Sequence, residues 1–339
     1  QEVFNQAFFA QVQVDEEKFT QLANKFYEEI FPSLQKITSP APGAVKIVKQ
    51  AFERGYQLAV ATNPLFPISA IRQRLAWAGL RMEDYPFQVV TSYEKFHFAK
   101  PAPAYYAELM AQLGWPDGPV VMVGDDLERD IIPASRLGLA TYYVGSKVLG
   151  SSDNQPFPTA TGTLENLVTW LDRTPFKELT PSYSTPESVL AILRSTPAVL
   201  NGLCRDLPAD AWLRQPGPSE WRLTEVLCHL RDVEIEVNLF RVDTVLSESN
   251  PFIAGKDTDK WALERGYRDE NGEFALEQFT TARLKVLERL ENLNQKEWDL
   301  PARHAIFGPT RLVELASIAA AHDRLHVQQV LNLLSIFQP

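Results

Sequence analysis

Pro119-Val-Val-Met-Val-Gly-Asp-Asp-Leu-Glu-Arg-Asp130 decides the fold of the first half of the chain. Its apolar, valine-rich run, closed by Gly124, reads as a buried strand that empties into a polar turn and then a helix. Working outward, helical patterns at Ala102–Leu113 and Arg129–Leu137 flank it, and a second strand pattern follows at Ala140–Gly145. Further upstream, Gly43–Arg54 leads into the strand pattern Tyr56–Thr62, and Pro67–Ala78 into Phe87–Thr91. Short strands spaced by helices of about ten residues predict right-handed βαβ units around a parallel sheet. This half is α/β.

After Gly145 the pattern lapses into Gly-Ser-Ser-Asp-Asn-Gln-Pro-Phe-Pro, gains a short helix at Leu164–Leu171, and breaks again over Thr174–Pro186, which holds three prolines. A linker is expected at 173–186, dividing a domain at 1–172 from one at 187–339. From Glu187 onward no strand signal is read. Four amphipathic patterns at 187–206, 223–247, 273–294 and 311–335 predict an all-α four-helix bundle. Pro197 should kink or divide the first of these helices.

The chain has 339 residues, 33 basic against 43 acidic, for a net charge of −10. Hydrophobic residues at 45% and charged residues at 22% exclude wholesale disorder and repeat or disulfide scaffolds. Up to residue 175 there are 15 basic and 19 acidic residues, and beyond it 18 and 24. Neither half carries the positive field that a nucleic-acid or anionic-membrane partner requires. Two cysteines, no apolar run of membrane length and no leader pattern predict a reducing, cytoplasmic setting. A first residue of Gln suggests a chain that begins inside a longer one, because initiator Met is normally trimmed only before small residues.

Three groups fall just past the carboxyl ends of predicted strands, where open α/β sheets bind ligands. These are Thr62-Asn63, Lys100-Pro101, and Gly124-Asp125 through Asp130. A hydroxyl and an ammonium suit phosphoryl oxygens, and clustered carboxylates suit a hard cation. Each alone also reads as a plain turn or a solvated loop residue; their order and spacing argue for a shared site. Over about residues 1–172 the combination resembles the haloacid dehalogenase-like (HAD) superfamily, with Thr62, Lys100 and Asp125/Asp130 matching its second, third and fourth motifs. The resemblance implies a Rossmann-like fold, phosphate contacts from Thr62 and Lys100, Mg²⁺ at Asp125 and Asp130, and hydrolysis of a phosphate ester. The family's nucleophilic aspartate, in a DxD motif on a central strand, has no counterpart. The one aspartate before Gly43 is Asp15, which reads as a helix start, and residues 1–40 resemble the rest of a helical cap. Without an in-line nucleophile, covalent phosphoryl transfer is expected to fail. Loss of the central strand would leave two strand edges open, which favours a clipped chain over an evolved loss.

In the second half, Ala-Ala-Ala-His322-Asp-Arg-Leu-His326-Val places two imidazoles at i,i+4 on one helix face. They interrupt an apolar stripe of Leu312, Leu315, Ala319, Val330 and Leu333, and His229 interrupts another of Val226, Val233, Val237 and Phe240. Three inward histidines predict one divalent transition metal, Zn²⁺, Ni²⁺ or Fe²⁺, with a coordination position left open; a hydrogen-bonded core cluster is the alternative. With Trp221 and Glu225 preceding His229, residues 186–335 resemble the DinB-like superfamily of metal-binding bundles. That resemblance implies metal-assisted chemistry on a low-molecular-weight thiol, as in thiol-dependent transferases and isomerases. Glu225, Asp232 and Asp323 beside the histidines are read as solvated, His304 as a loop residue, and Cys228 as a small hydrophobe. The expected protein is thus an α/β HAD-like module lacking its nucleophile strand, followed by a metal-binding bundle. Its partners are small molecules, a phosphate ester or a thiol adduct; the alternative is a non-catalytic metal- and phosphate-ligand-binding or sensing protein.

Overall fold

The computed structural model describes residues 8–12, 14–145, 158–218 and 220–336. Residues 1–7 of the expected cap, and most of the Gly/Ser/Asn-rich stretch after Gly145, lie outside them. The chain divides into two compact units, one within Gln1–Ala99 and Thr161–Thr174, the other within Lys100–Tyr143 and Pro175–Pro339.

In the first unit, α1 (Glu16–Lys25) opens on Asp15, whose carboxylate accepts from the Lys18 amide at 2.9 Å. Asp15 is therefore a helix cap. Helices α2 (Ala44–Glu53) and α3 (Ile68–Trp77) alternate with strands β1 (Ala59–Val60) and β2 (Val89–Val90), which pair in parallel, Ala59 opposite Val89. Arg54 at the end of α2 holds Asp172 of α6 (Leu164–Arg173) at 2.5 Å.

In the second unit, β3 (Val121–Gly124) pairs in parallel with β4 (Ala140–Val144), and α4 (Pro103–Gln112) and α5 (Ile132–Leu137) accompany them. The α/β reading holds, with β1–β2 and β3–β4 in separate sheets. Both leading strands, β1 and β3, are half-buried, whereas β2 and the first three residues of β4 are buried. Residues 104–111 of α4 are buried on every side, because α4 also packs along the first bundle helix, α7 (Pro186–Cys204). Gly138 caps α5 at φ +102°, and a Cβ there would meet the Ser182 carbonyl, so only glycine fits.

The bundle comprises α7, a long second helix, α10 (Gly272–Leu290) and α11 (Leu312–Ile336). The second helix runs as α8 (Leu223–Val233), a π-helical turn at Glu234–Asn238, then α9 (Leu239–Ser247). Pro197, expected to kink or divide the helix, leaves α7 undivided. Proline removes the amide that would bond to the Leu193 carbonyl. Arg283 of α10 replaces it, donating from Nη1 to that carbonyl at 2.9 Å. The remaining guanidinium N–H groups reach Glu234 (2.5 and 2.9 Å) and Asp323 (2.5 and 3.0 Å). Arg283 is wholly buried and joins all four long helices through a network with every donor used. Burial pulls its pKa down, but Asp323 and Glu234 outweigh that and leave it raised, so the guanidinium stays charged.

Two further expectations are corrected. The second half does contain strands: β5 (Phe252–Ile253) pairs in parallel with β6 (Pro301–His304), which pairs antiparallel with β7 (Gly308–Arg311). They escape a sequence reading because they are two to four residues long, carry Pro301 and Pro309, and lack a β-branched run. Phe240 is 62% exposed, not inward. The π-turn inserts a residue and rotates the helix face, so the buried places pass to Val242 and Val245, with Arg241 half-buried beside them.

Candidate metal centre

His229 stands in the middle of α8, and His322 and His326 are one turn apart on α11. The stripe residues that frame them are buried, among them Val226, Val233, Leu315, Ala319, Val330 and Leu333, so packing alone turns the rings inward. The three Nε2 atoms converge. His229 Nε2 lies 3.0 Å from His322 Nε2, and His326 Nε2 lies 3.1 Å from the same atom. Among the described residues this is the one group of three or more His, Cys, Asp or Glu side chains placed to share an ion. Trp221 packs against His229, with ring centroids 4.8 Å apart, and lies parallel to His326 at 6.2 Å.

Burial, then the neighbouring His326 and His322 imidazoles, push the His229 pKa down to about 3. His322 falls to about 3 by burial, with His326, Arg283 and Arg241 adding to it, and burial lowers His326 as well. All three rings are neutral at pH 7, the state in which imidazole is a ligand. The Gln329 side-chain oxygen accepts from His326 Nδ1 at 2.8 Å, which puts that ring's lone pair on Nε2. Nδ1 of His229 and of His322 is buried with no partner among the described residues, so nothing holds a lone pair on those atoms. Tetrahedral coordination with bonds of about 2.0–2.1 Å sets ligand nitrogens about 3.3 Å apart, near the two distances to His322, and all three ligand atoms lie within 4.8 Å of one another. The donor set fits a single transition-metal ion.

Residues 192–330 match the DinB superfamily, and residues 2–138 match the haloacid dehalogenase-like hydrolases. The chain thus joins a segment similar to the HAD-like hydrolases to one similar to the DinB superfamily, hereafter the HAD-like and DinB segments. Among curated proteins it is 34% identical over 103 residues to a ribulose-1,5-bisphosphate 5-phosphatase of Halopiger xanaduensis, covering 30% of this chain and 41% of that one. It is 31% identical over 105 residues to a glyceraldehyde 3-phosphate phosphatase of Methanopyrus kandleri, covering 31% and 43%. The chain thus spans about two fifths of the length of these curated relatives. Among solved structures it is similar to YfiT from Bacillus subtilis, described as a probable metal-dependent hydrolase with an unusual four-helix bundle topology. The identity is 16% and the TM-score 0.41, over 45% of this chain and 88% of that one. A HAD phosphatase from Thermococcus onnurineus gives 24% and 0.33, over 49% and 69%.

In the HAD-like segment, Thr62 lies in the first unit, just past β1, where its amide donates to Thr91 Oγ1 at 2.9 Å and the two hydroxyls sit 3.2 Å apart. Lys100, Asp125 and Asp130 lie in the second unit. Lys100 Nζ and Asp130 Oδ1 form a buried ion pair at 2.5 Å, and the Asp126 amide donates to Asp130 Oδ2 at 3.3 Å. Gly124 leaves room for this carboxylate, since a Cβ there would sit within 2.4–2.6 Å of Asp130 side-chain atoms. Asp125 is exposed. The expected Mg²⁺ pair therefore has one carboxylate engaged by Lys100, and among the described residues no third carboxylate completes a cage.

The DinB segment holds groups that the sequence reading set aside as solvated. Glu225, Asp232 and Asp323 are 4%, 7% and 1% exposed. None of them serves a histidine. Glu225 accepts from the Arg222 amide, Asp232 from Arg231, Arg265 and Tyr267, and Asp323 from Arg283. An open cleft of about 640 Å³ adjoins the triad, lined by Glu220, Trp221, Leu325, His326, Gln329 and Leu333. His304, expected in a loop, closes β6 and is 3% exposed. Cys204 and Cys228 are buried and free, and burial pushes both thiols up to about 12.

Proposed function

We propose that the DinB segment binds one divalent transition metal, Zn²⁺, Ni²⁺ or Fe²⁺, through Nε2 of His229, His322 and His326, and uses it on a small molecule entering the cleft beside Trp221. The observation that carries this is the convergence of three neutral imidazoles, one buried and two half-buried, around one point. Three protein ligands leave a position open for substrate, as in catalytic rather than structural sites. A metal there would act as a Lewis acid or deprotonate a bound thiol at neutral pH. Cys204 and Cys228 stay protonated and enclosed, so a thiol taking part has to come from a low-molecular-weight partner. Gln329 would orient His326, Trp221 would wall the site against water, and the Arg283 network would hold α10 and α11 in register. Thiol-dependent transfer or isomerisation and metal-dependent hydrolysis both use this arrangement.

For the HAD-like segment we infer a phosphate-ester-type fold without turnover in this chain. The in-line nucleophile is missing, Asp15 caps a helix, and Lys100 is committed to Asp130. Its relatives' small phosphate esters set the ligand class to examine. Elemental analysis of the purified chain, with activity assayed against thiol-adduct and ester panels before and after chelation, tests the reading. Metal at one ion per chain and turnover lost on chelation are expected; turnover indifferent to chelation would contradict it. Stoichiometric metal without turnover of any such substrate would instead support a non-catalytic binding or sensing role.

A further inference from the structure

Arg241 and His304 are not used by the metal ligands. Arg241, on α9, is half-buried, and among the described residues it makes no ion pair. Burial lowers its pKa, and no carboxylate acts to raise it. Two other arginines of the bundle are answered by carboxylates: Arg283 by Glu234 and Asp323, Arg231 by Asp232 and Glu270. Arg241 Nη2 lies instead 3.2 Å from His304 Nε2. His304 Nδ1 faces two backbone amides, those of Ile306 at 3.2 Å and Phe307 at 3.4 Å. Both ring nitrogens thus meet N–H donors, while a neutral imidazole has a single acceptor nitrogen. With Nδ1 accepting from the amides, the ring proton sits on Nε2 and opposes the guanidinium. Two donors converging without an acceptor is an arrangement that an anion completes.

The position of the pair links it to the triad. The π-turn sets Arg241 half-buried beside Val242 and Val245 on the helix that bears His229, and α9 packs against α11. Arg241 is also among the charges that act on His322. π-Turns recur at functional sites because they re-aim a side chain that regular helix would point elsewhere.

We propose that Arg241 and His304 form a recognition subsite for a carboxylate on the small molecule handled at the triad. The link to chemistry rests on the metal-centre reading; the subsite itself is a property of these two side chains. One guanidinium and one neutral imidazole N–H match a singly charged oxyanion with two oxygens better than a phosphate dianion.

Calorimetric titration of the metal-loaded full chain with succinate, and with its uncharged diamide, tests this, metal content being measured for every variant. Saturable succinate binding is expected, with no binding of the diamide. Affinity should fall by about tenfold or more in Arg241→Gln, recover in part in Arg241→Lys, and fall less in His304→Ala, with metal content constant. Equal succinate affinity in Arg241→Gln, equal binding of the diamide, or no saturable binding to the unmodified chain would overturn the proposal. Tighter binding of inorganic phosphate than of succinate would overturn the carboxylate assignment. Loss of metal from the unmodified chain, with succinate binding intact, would count against the metal reading alone.

Discussion

The two segments treat their polar side chains in opposite ways. In the HAD-like segment three of the expected site groups are bound within the chain, Thr62 with Thr91 and Lys100 with Asp130, while Asp125 is exposed. In the DinB segment Arg283 is paired with Glu234 and Asp323, and Arg231 with Asp232 and Glu270, but three imidazoles aim their Nε2 atoms at a common point. A group answered by a neighbour stabilises the fold, whereas a buried group left unanswered asks for a ligand. On the proposed reading, the contrast puts the metal chemistry of this chain in the second segment and asks whether the first has any turnover.

The largest expected effect breaks the contrast from the DinB side. His229→Ala or His322→Ala should reduce bound metal from about one ion per chain to background, because two imidazoles rarely hold a transition metal against buffer. Elemental analysis reads the outcome, and full metal content in both variants would remove the triad. Next comes Arg283→Met, which leaves Glu234 and Asp323 buried and unpaired and strips the Leu193 carbonyl of its donor. A loss of about 3–5 kcal/mol is expected in urea unfolding. Gln329→Leu should weaken metal binding by about tenfold to a hundredfold with little change in stability, and Gln329→Glu should restore it; competition with a chromophoric chelator measures both.

A smaller effect follows from pH. His229 and His322 have folded pKa values of about 3, below the ordinary 6.5, so the unfolded chain takes up more protons as pH falls through that window. Stability from keeping these rings neutral is fully present above pH about 6.5 and is lost progressively toward 3. Thermal melts of the chelated chain should show the midpoint falling across that range, with a shallower fall in His229→Ala. The smallest effect sharpens the other side. No Mg²⁺-dependent hydrolysis of an aryl phosphate is expected, and Asp125→Ala should leave that null rate unchanged; activity lost on the substitution would mean that a nucleophile exists in the chain.

How much of this was legible beforehand follows the length scale of each signal. The four bundle helices and the inward histidines were, because an apolar stripe at helical spacing fixes which face is buried. Asp15 as a cap was too, since a carboxylate before Glu16-Glu17 is a local signal. Arg241 was not, because one inserted residue in a π-turn leaves no mark on composition and displaces every later position on the face. The burial of Glu225, Asp232 and Asp323 was hidden as well. A charged side chain turns inward only when its partners do, and those partners sit on other elements, Arg283 on α10 being the case in point. Pro197 was the available clue, since a proline within a long helix frees a carbonyl that some donor has to meet. The strands at 252–253 and 301–311 were too short and too proline-bearing to register.

X-ray absorption at the metal edge of the loaded chain tests the central claim most directly. Three imidazole nitrogens at about 2.0–2.1 Å, with the remaining scatterers light oxygen or nitrogen, are predicted, and His326→Ala should give no edge signal above background. A first shell dominated by sulfur, or one with fewer than three imidazoles in the unmodified chain, would contradict it.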